Sequence, residues 1–135
     1  MKNITNIFFD LYGVLIDYKF EKIIILPTVD LLEKLNQNYS LSIISNISNQ
    51  QLNFLKNKLN FLHYFDNIIT SESAQYSKPD YRIFNYALNN SNTNSSSSLF
   101  IDDSYSNIKS AKELGFLTFH YIDYDSLNNF LQIDE

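Results

Sequence analysis

The stretch Ile7-Phe8-Phe9-Asp10-Leu11-Tyr12-Gly13-Val14-Leu15 constrains this chain more than any other. Three consecutive large apolar residues fit a strand covered on both faces, because a half-exposed strand would alternate. The run ends in one carboxylate, and the glycine three positions on lets the backbone turn sharply away. Asp10 is therefore expected at the carboxyl end of a buried central strand, where open α/β sheets place their chemistry. A carboxylate held there can serve as a nucleophile, as a metal ligand or as both.

The arrangement recurs late in the chain, where Leu99-Phe100-Ile101 runs into Asp102-Asp103. Two such strands side by side bring three acids to one place. Alone these would repel one another, and a hard cation bound through oxygen resolves the conflict. Between the two runs, the short β-branched segment Leu41–Ile44 stops at Ser45-Asn46, a pair suited to a strand-end loop. Lys78-Pro79 precedes a helical apolar stripe at Ile83, Phe84, Ala87 and Leu88, so this helix should start just after the proline.

Further helices are expected from Thr28 to near Asn38, over Asn49–Leu59, around Ile108–Leu114 with Gly115 as the stop, and over Ser126–Leu131. Phe65–Thr70 and Phe116–Ile122 read as strands. The polar run from Asn89 to Ser98 reads as a linker within the fold. Strand and helix thus alternate about five times, which predicts an α/β three-layer Rossmann-like sandwich. Its sheet should be five-stranded and mostly parallel, with helices on both faces.

Composition narrows the class. At 135 residues, 44% of them hydrophobic, the chain fits a single domain over 1–135 with a substantial core. There is no cysteine, hence no disulfide or thiolate site, and the start MKNITNIFFD lacks a long apolar run. No membrane partner is indicated, and the expected location is cytoplasmic. A net charge of -5 with Arg82 as the single arginine argues against a nucleic-acid surface. About residues 14–26, apolar patches flank a charged middle, Asp17 to Lys22, which suits a short hairpin or flap.

Four segments, FFDLYGVLID, LSIISN, SKPDYRIF and LFIDDSYSNIKSAKELGF, together resemble the ordered motifs of the haloacid dehalogenase-like (HAD) hydrolase superfamily. The resemblance implies a phosphatase in which Asp10 is the nucleophile, passing through an aspartyl-phosphate. It implies that Ser45, with Asn46, and Lys78 bind the transferred phosphoryl group. Mg²⁺ would be held by Asp10, the Tyr12 main-chain carbonyl, Asp102 and Asp103, with Asp103 favoured as the inner-sphere ligand. The substrate would be a phosphorylated small molecule or an exposed phospho-group on a larger one. Only a short flap stands where many relatives insert a cap domain, so the chain resembles a capless or minimal-cap member. A neighbouring subunit in an oligomer is one way to cover such a site.

Tyr12 departs from the pattern, since phosphatases of the superfamily usually carry there a second aspartate that protonates the leaving group. With an ordinary pKa of about 10, a phenol is a poor general base at neutral pH. Two alternatives follow: a catalytically impaired protein that binds phospho-ligands or partners, or a 2-haloacid dehalogenase, since those enzymes have tyrosine at this place. Against the latter stand the acidic pair Asp102-Asp103, which a metal-free dehalogenase does not need, and the position of Arg82.

Overall fold

A computed structural model describes residues 1 and 3–132. Its centre is a five-stranded parallel sheet in the order β5-β4-β1-β6-β7. The strands are β1 (Asn6–Phe9), β4 (Ser40–Ser45), β5 (Asn67–Thr70), β6 (Ser98–Asp102) and β7 (Leu117–His120). A separate antiparallel hairpin joins β2 (Ile16–Lys19) to β3 (Lys22–Ile25). The helices are α1 (Leu32–Asn36), α2 (Asn49–Lys56), α3 (Ser71–Ala74), α4 (Tyr81–Asn90), α5 (Tyr105–Glu113) and α6 (Tyr124–Gln132).

The unbroken apolar runs belong to strands buried on both faces, as expected. Period-2 alternation sends Ile7 and Phe9 of β1, Leu41 and Ile43 of β4, and Leu99 and Ile101 of β6 to one side. There they meet Leu32 and Leu35 of α1, Leu52 and Leu55 of α2, and Leu127 and Leu131 of α6. Phe8, Ile44 and Phe100 point to the opposite side, against Ile83, Phe84 and Ala87 of α4 and Ile108 and Ala111 of α5. On that side Phe84 meets Phe100 edge-on, with ring centroids 5.1 Å apart. Helices on both faces of a parallel sheet make the three-layer α/β sandwich, and β1 lies at its centre.

Local signals set most helix ends. Ser48 caps α2 through a reciprocal capping box with Gln51, and Asp80 caps α4 by accepting from the Arg82 N–H. Gly115, at φ +99°, takes the left-handed position after α5. The helix expected from Thr28 differs in its first turn. Pro27–Leu31 forms a 3-10 turn before α1, and Thr28 is buried, its hydroxyl 3.2 Å from that of Tyr121. Thr28 thus stands in the first turn, and Leu26 takes the N-cap position. The short α3, capped by Thr70, is an addition to the sequence reading, and the polar run ends in a 3-10 turn at Ser95–Ser97 before Ser98 enters β6.

Residues 14–26 form the projecting hairpin. Val14, Leu15 and Ile16 anchor it in the core, and Phe20 and Glu21 close it with φ of 52° and 60°, the left-handed pair of a tight two-residue hairpin turn. Among the described residues, no helix is long and apolar enough to cross a membrane.

Candidate active site

Parallel pairing places the carboxyl ends of β1, β4 and β6 side by side, with Phe9 in register with Ile43 on one side and Ile101 on the other. Each strand then releases its polar residues at the same edge of the sheet. Asp10, Tyr12, Ser45, Asn46, Lys78, Asp102 and Asp103 all line one cleft of about 200 Å³, together with Ile47, Ser104 and Asn107. All seven residues singled out in the sequence are thus brought together.

Lys78 is the centre of the charge arrangement. Its ammonium donates to Asp10 Oδ1 at 2.8 Å and to Asp102 Oδ2 at 2.9 Å, and its side chain is 2% exposed. A cation so deeply buried is tolerable only because it is paired on both sides. Burial pushes the Asp10 carboxyl up, to about 7, against the opposing pull of Lys78, and the nearby Asp102 adds to the rise. A fixed positive charge beside Asp10 therefore works to keep it ionised in a site that otherwise favours the neutral acid.

The acids differ in their surroundings. Asp102 is fully buried; its Oδ1 accepts from the Ser104 N–H at 2.9 Å and its Oδ2 from Asn107 Nδ2 at 3.1 Å as well as from Lys78. Asp103 is exposed, and its main-chain carbonyl lies 3.0 Å from His120 Nε2. Asp10, Asp102 and Asp103 each offer a carboxylate oxygen within 4.8 Å of the others. Three carboxylates and one ammonium leave two negative charges, and every anionic donor is oxygen. That set suits a hard divalent cation.

One supporting residue escaped the sequence reading, and two that were read there take a further role. Asn107, one turn into α5, holds Asp102. Gly13, at φ +92°, lies so close to Asp103 that a Cβ there would collide with the carboxylate; its glycine identity was the visible signal, its neighbour was not. Asn46 was marked for phosphate, yet its side chain grips the Lys78 main chain, accepting from the N–H at 2.8 Å and donating to the carbonyl at 3.1 Å. It thereby ties the loop after β4 to the loop that carries the lysine. Tyr12 is partly buried, and its phenol is raised above the ordinary range, first by burial and then by the nearby Tyr18.

A parallel α/β sheet thus gathers three acids and a buried lysine at the carboxyl ends of its central strands, a set of oxygen donors that could hold a cation. The profile of the Haloacid dehalogenase-like hydrolase family matches residues 19–120, and the chain belongs to that family. Asp10 lies just ahead of the matched span.

Solved structures agree on the fold. A HAD family enzyme from Bacteroides thetaiotaomicron, in complex with magnesium and inorganic phosphate, is 21% identical with a TM-score of 0.79, covering 92% of this chain and 98% of its own. A HAD-superfamily hydrolase from Ehrlichia chaffeensis is 24% identical with a TM-score of 0.81 over 100% of both chains. A dehalogenase is 16% identical with a TM-score of 0.79, covering 87% of this chain and 84% of its own. A search of curated proteins returns no significant match.

Proposed function

We propose that this protein is a Mg²⁺-dependent phosphohydrolase of minimal-cap architecture that works through an aspartyl-phosphate on Asp10. The observation that carries the reading is the position of Lys78, bonded at once to Asp10 and Asp102 beside the exposed Asp103. A carboxylate attacking a phosphate dianion meets like-charge repulsion, and a buried ammonium at the point of attack offsets it. The magnesium complex of the Bacteroides relative supports the choice of cation.

Asp10, Asp103 and the Tyr12 carbonyl would hold the cation. Asp102, whose two oxygens already accept three hydrogen bonds, would act directly or through water. Mg²⁺ would supply positive charge to the phosphoryl oxygens. Asp10 forms a bond to phosphorus as the ester P–O bond breaks, and the leaving oxygen departs with the electron pair. Ser45 and Lys78 position the phosphoryl group, and water then cleaves the aspartyl-phosphate to restore Asp10 and release phosphate. The test is Mg²⁺-dependent phosphate release from p-nitrophenyl phosphate, abolished by Asp10→Asn; inactivity across a broad panel of phosphate esters would refute the proposal.

One observation favours a second reading, binding of phosphorylated ligands without turnover. Tyr12 lines the carboxylate cleft at the chain position where the family pattern has an aspartate to protonate the leaving group. Hydrolysis that disappears in Asp10→Ala excludes it.

A further inference from the structure

Beside the carboxylate site lies a second, larger cleft of about 560 Å³ lined by Tyr12, Tyr18, Gln50, Gln51 and Phe54. The two clefts share Tyr12 as a common wall. The carboxylate cleft, at about 200 Å³, has room for a phosphoryl group and a cation but little more. The shared wall lets an ester group attached to the phosphorus extend past Tyr12.

The neighbouring cleft is aromatic and uncharged. Its rings come from three separate elements: Tyr12 from the loop after β1, Tyr18 from β2 and Phe54 from α2. Tyr18 and Phe54 are each 57% exposed, so large apolar surface is left uncovered at the mouth of the site. An adjoining cleft of about 550 Å³ shares Tyr18 and Phe54 but is charged, with Glu21, Lys22 and Lys58, and the Lys58 ammonium lies 5.6 Å from the centre of the Phe54 ring.

A second, chemical observation points the same way. Apart from Lys78 and the three clustered acids, the carboxylate cleft is lined by Tyr12, Ser45, Asn46, Ile47, Ser104 and Asn107. None of these carries a carboxylic acid, the group that most readily protonates a departing alkoxide. A phenol ionises at about 10, far more readily than an alkyl alcohol, so a phenolate can leave with its electron pair and take a proton from water afterwards.

Resting on the phosphohydrolase reading, we propose that the cleft of Tyr12, Tyr18 and Phe54 is a leaving-group subsite for a flat aromatic ring, making aryl phosphate monoesters the substrate class. The phosphoryl group lies with Asp10 and Lys78, and the ring lies against the aromatic walls.

The test compares phenylphosphonate with methylphosphonate, neither of which can be hydrolysed, by calorimetric titration of the full chain with Mg²⁺ present. Phenylphosphonate should bind at least ~10-fold more tightly. Phe54→Ala and Tyr18→Ala should each cut that preference to ~3-fold or less while leaving methylphosphonate affinity unchanged. Both side chains are more than half exposed, so their truncation spares the core. Equal binding of the two phosphonates, binding of neither, or a preference indifferent to both substitutions overturns the subsite. The binding result is independent of turnover: a ring preference without phosphate release would refute the phosphohydrolase and keep the subsite. Phosphate release at equal kcat/KM from phenyl and methyl phosphate would do the reverse.

Discussion

The ammonium of Lys78 lies 2.8 Å from Asp10 Oδ1, joining residues 68 positions apart in the sequence. Both side chains are almost wholly buried, and the same ammonium also serves Asp102. Removing it leaves two buried acids facing each other. Lys78→Ala should therefore destabilise the metal-free protein by about 3–5 kcal/mol, seen in urea unfolding with EDTA present. Excess Mg²⁺ should recover part of that loss, whereas phosphate release should stay abolished.

Gly13 combines a left-handed φ of +92° with direct proximity to Asp103. Gly13→Ala forces either the turn or the carboxylate to move. The expected cost is about 1–3 kcal/mol of stability and a ~10-fold weaker affinity for Mg²⁺. Unfolding curves and calorimetric Mg²⁺ titration measure the two effects separately, and unchanged Mg²⁺ affinity would mean either that the turn yields in place of the carboxylate or that Asp103 is not a ligand.

Tyr12 forms a wall shared by the two clefts and offers a phenol in place of a carboxylic acid. Tyr12→Asp should raise the turnover of alkyl phosphates by ~10²–10⁴-fold, the usual contribution of a positioned general acid. Aryl phosphates should gain much less, because their leaving group needs little protonation. Steady-state kcat for methyl and phenyl phosphate, wild type against variant, checks the contrast.

Asp80 caps α4 and meets Arg82 Nη2 at 2.7 Å; the Arg82 side chain and main chain together hold its carboxyl down, at about 2. A lowered acid adds stability that is fully present above its ordinary pKa and disappears as pH falls through the lowered one. Asp80→Asn should thus lower Tm by a constant amount above about pH 4. The gap should close as the pH approaches 2. Melting curves of both proteins between pH 6 and pH 2 test this.

Much of the fold was legible because burial writes itself into local pattern. The runs Ile7–Phe9 and Leu99–Ile101 are continuous because both faces of β1 and β6 are covered by helices. The stripe Ile83, Phe84, Ala87 and Leu88 shows the buried face of α4, and Gly115 stands at the turn after α5. The 3-10 turn at Pro27–Leu31 was hidden, because a first turn led by a proline looks the same in sequence whether it runs on as a 3-10 or an α turn. The short helix α3 was hidden too, since four residues carry too little periodicity to read.

The sequence by itself determined the alternation of strand and helix, the strand-end positions of Asp10, Ser45 and Asp102, and the presence of a lysine before a proline. Only the tertiary structure decided what these residues do to one another. Parallel register set Asp10 beside Asp102, and Asn46 fastened the loop bearing Lys78 so that its ammonium reaches both acids. It also folded the hairpin and α2 so that Tyr18 and Phe54 flank Tyr12. Such pairings join residues distant along the chain, and no local pattern encodes the direction in which a side chain meets a partner from another strand or loop.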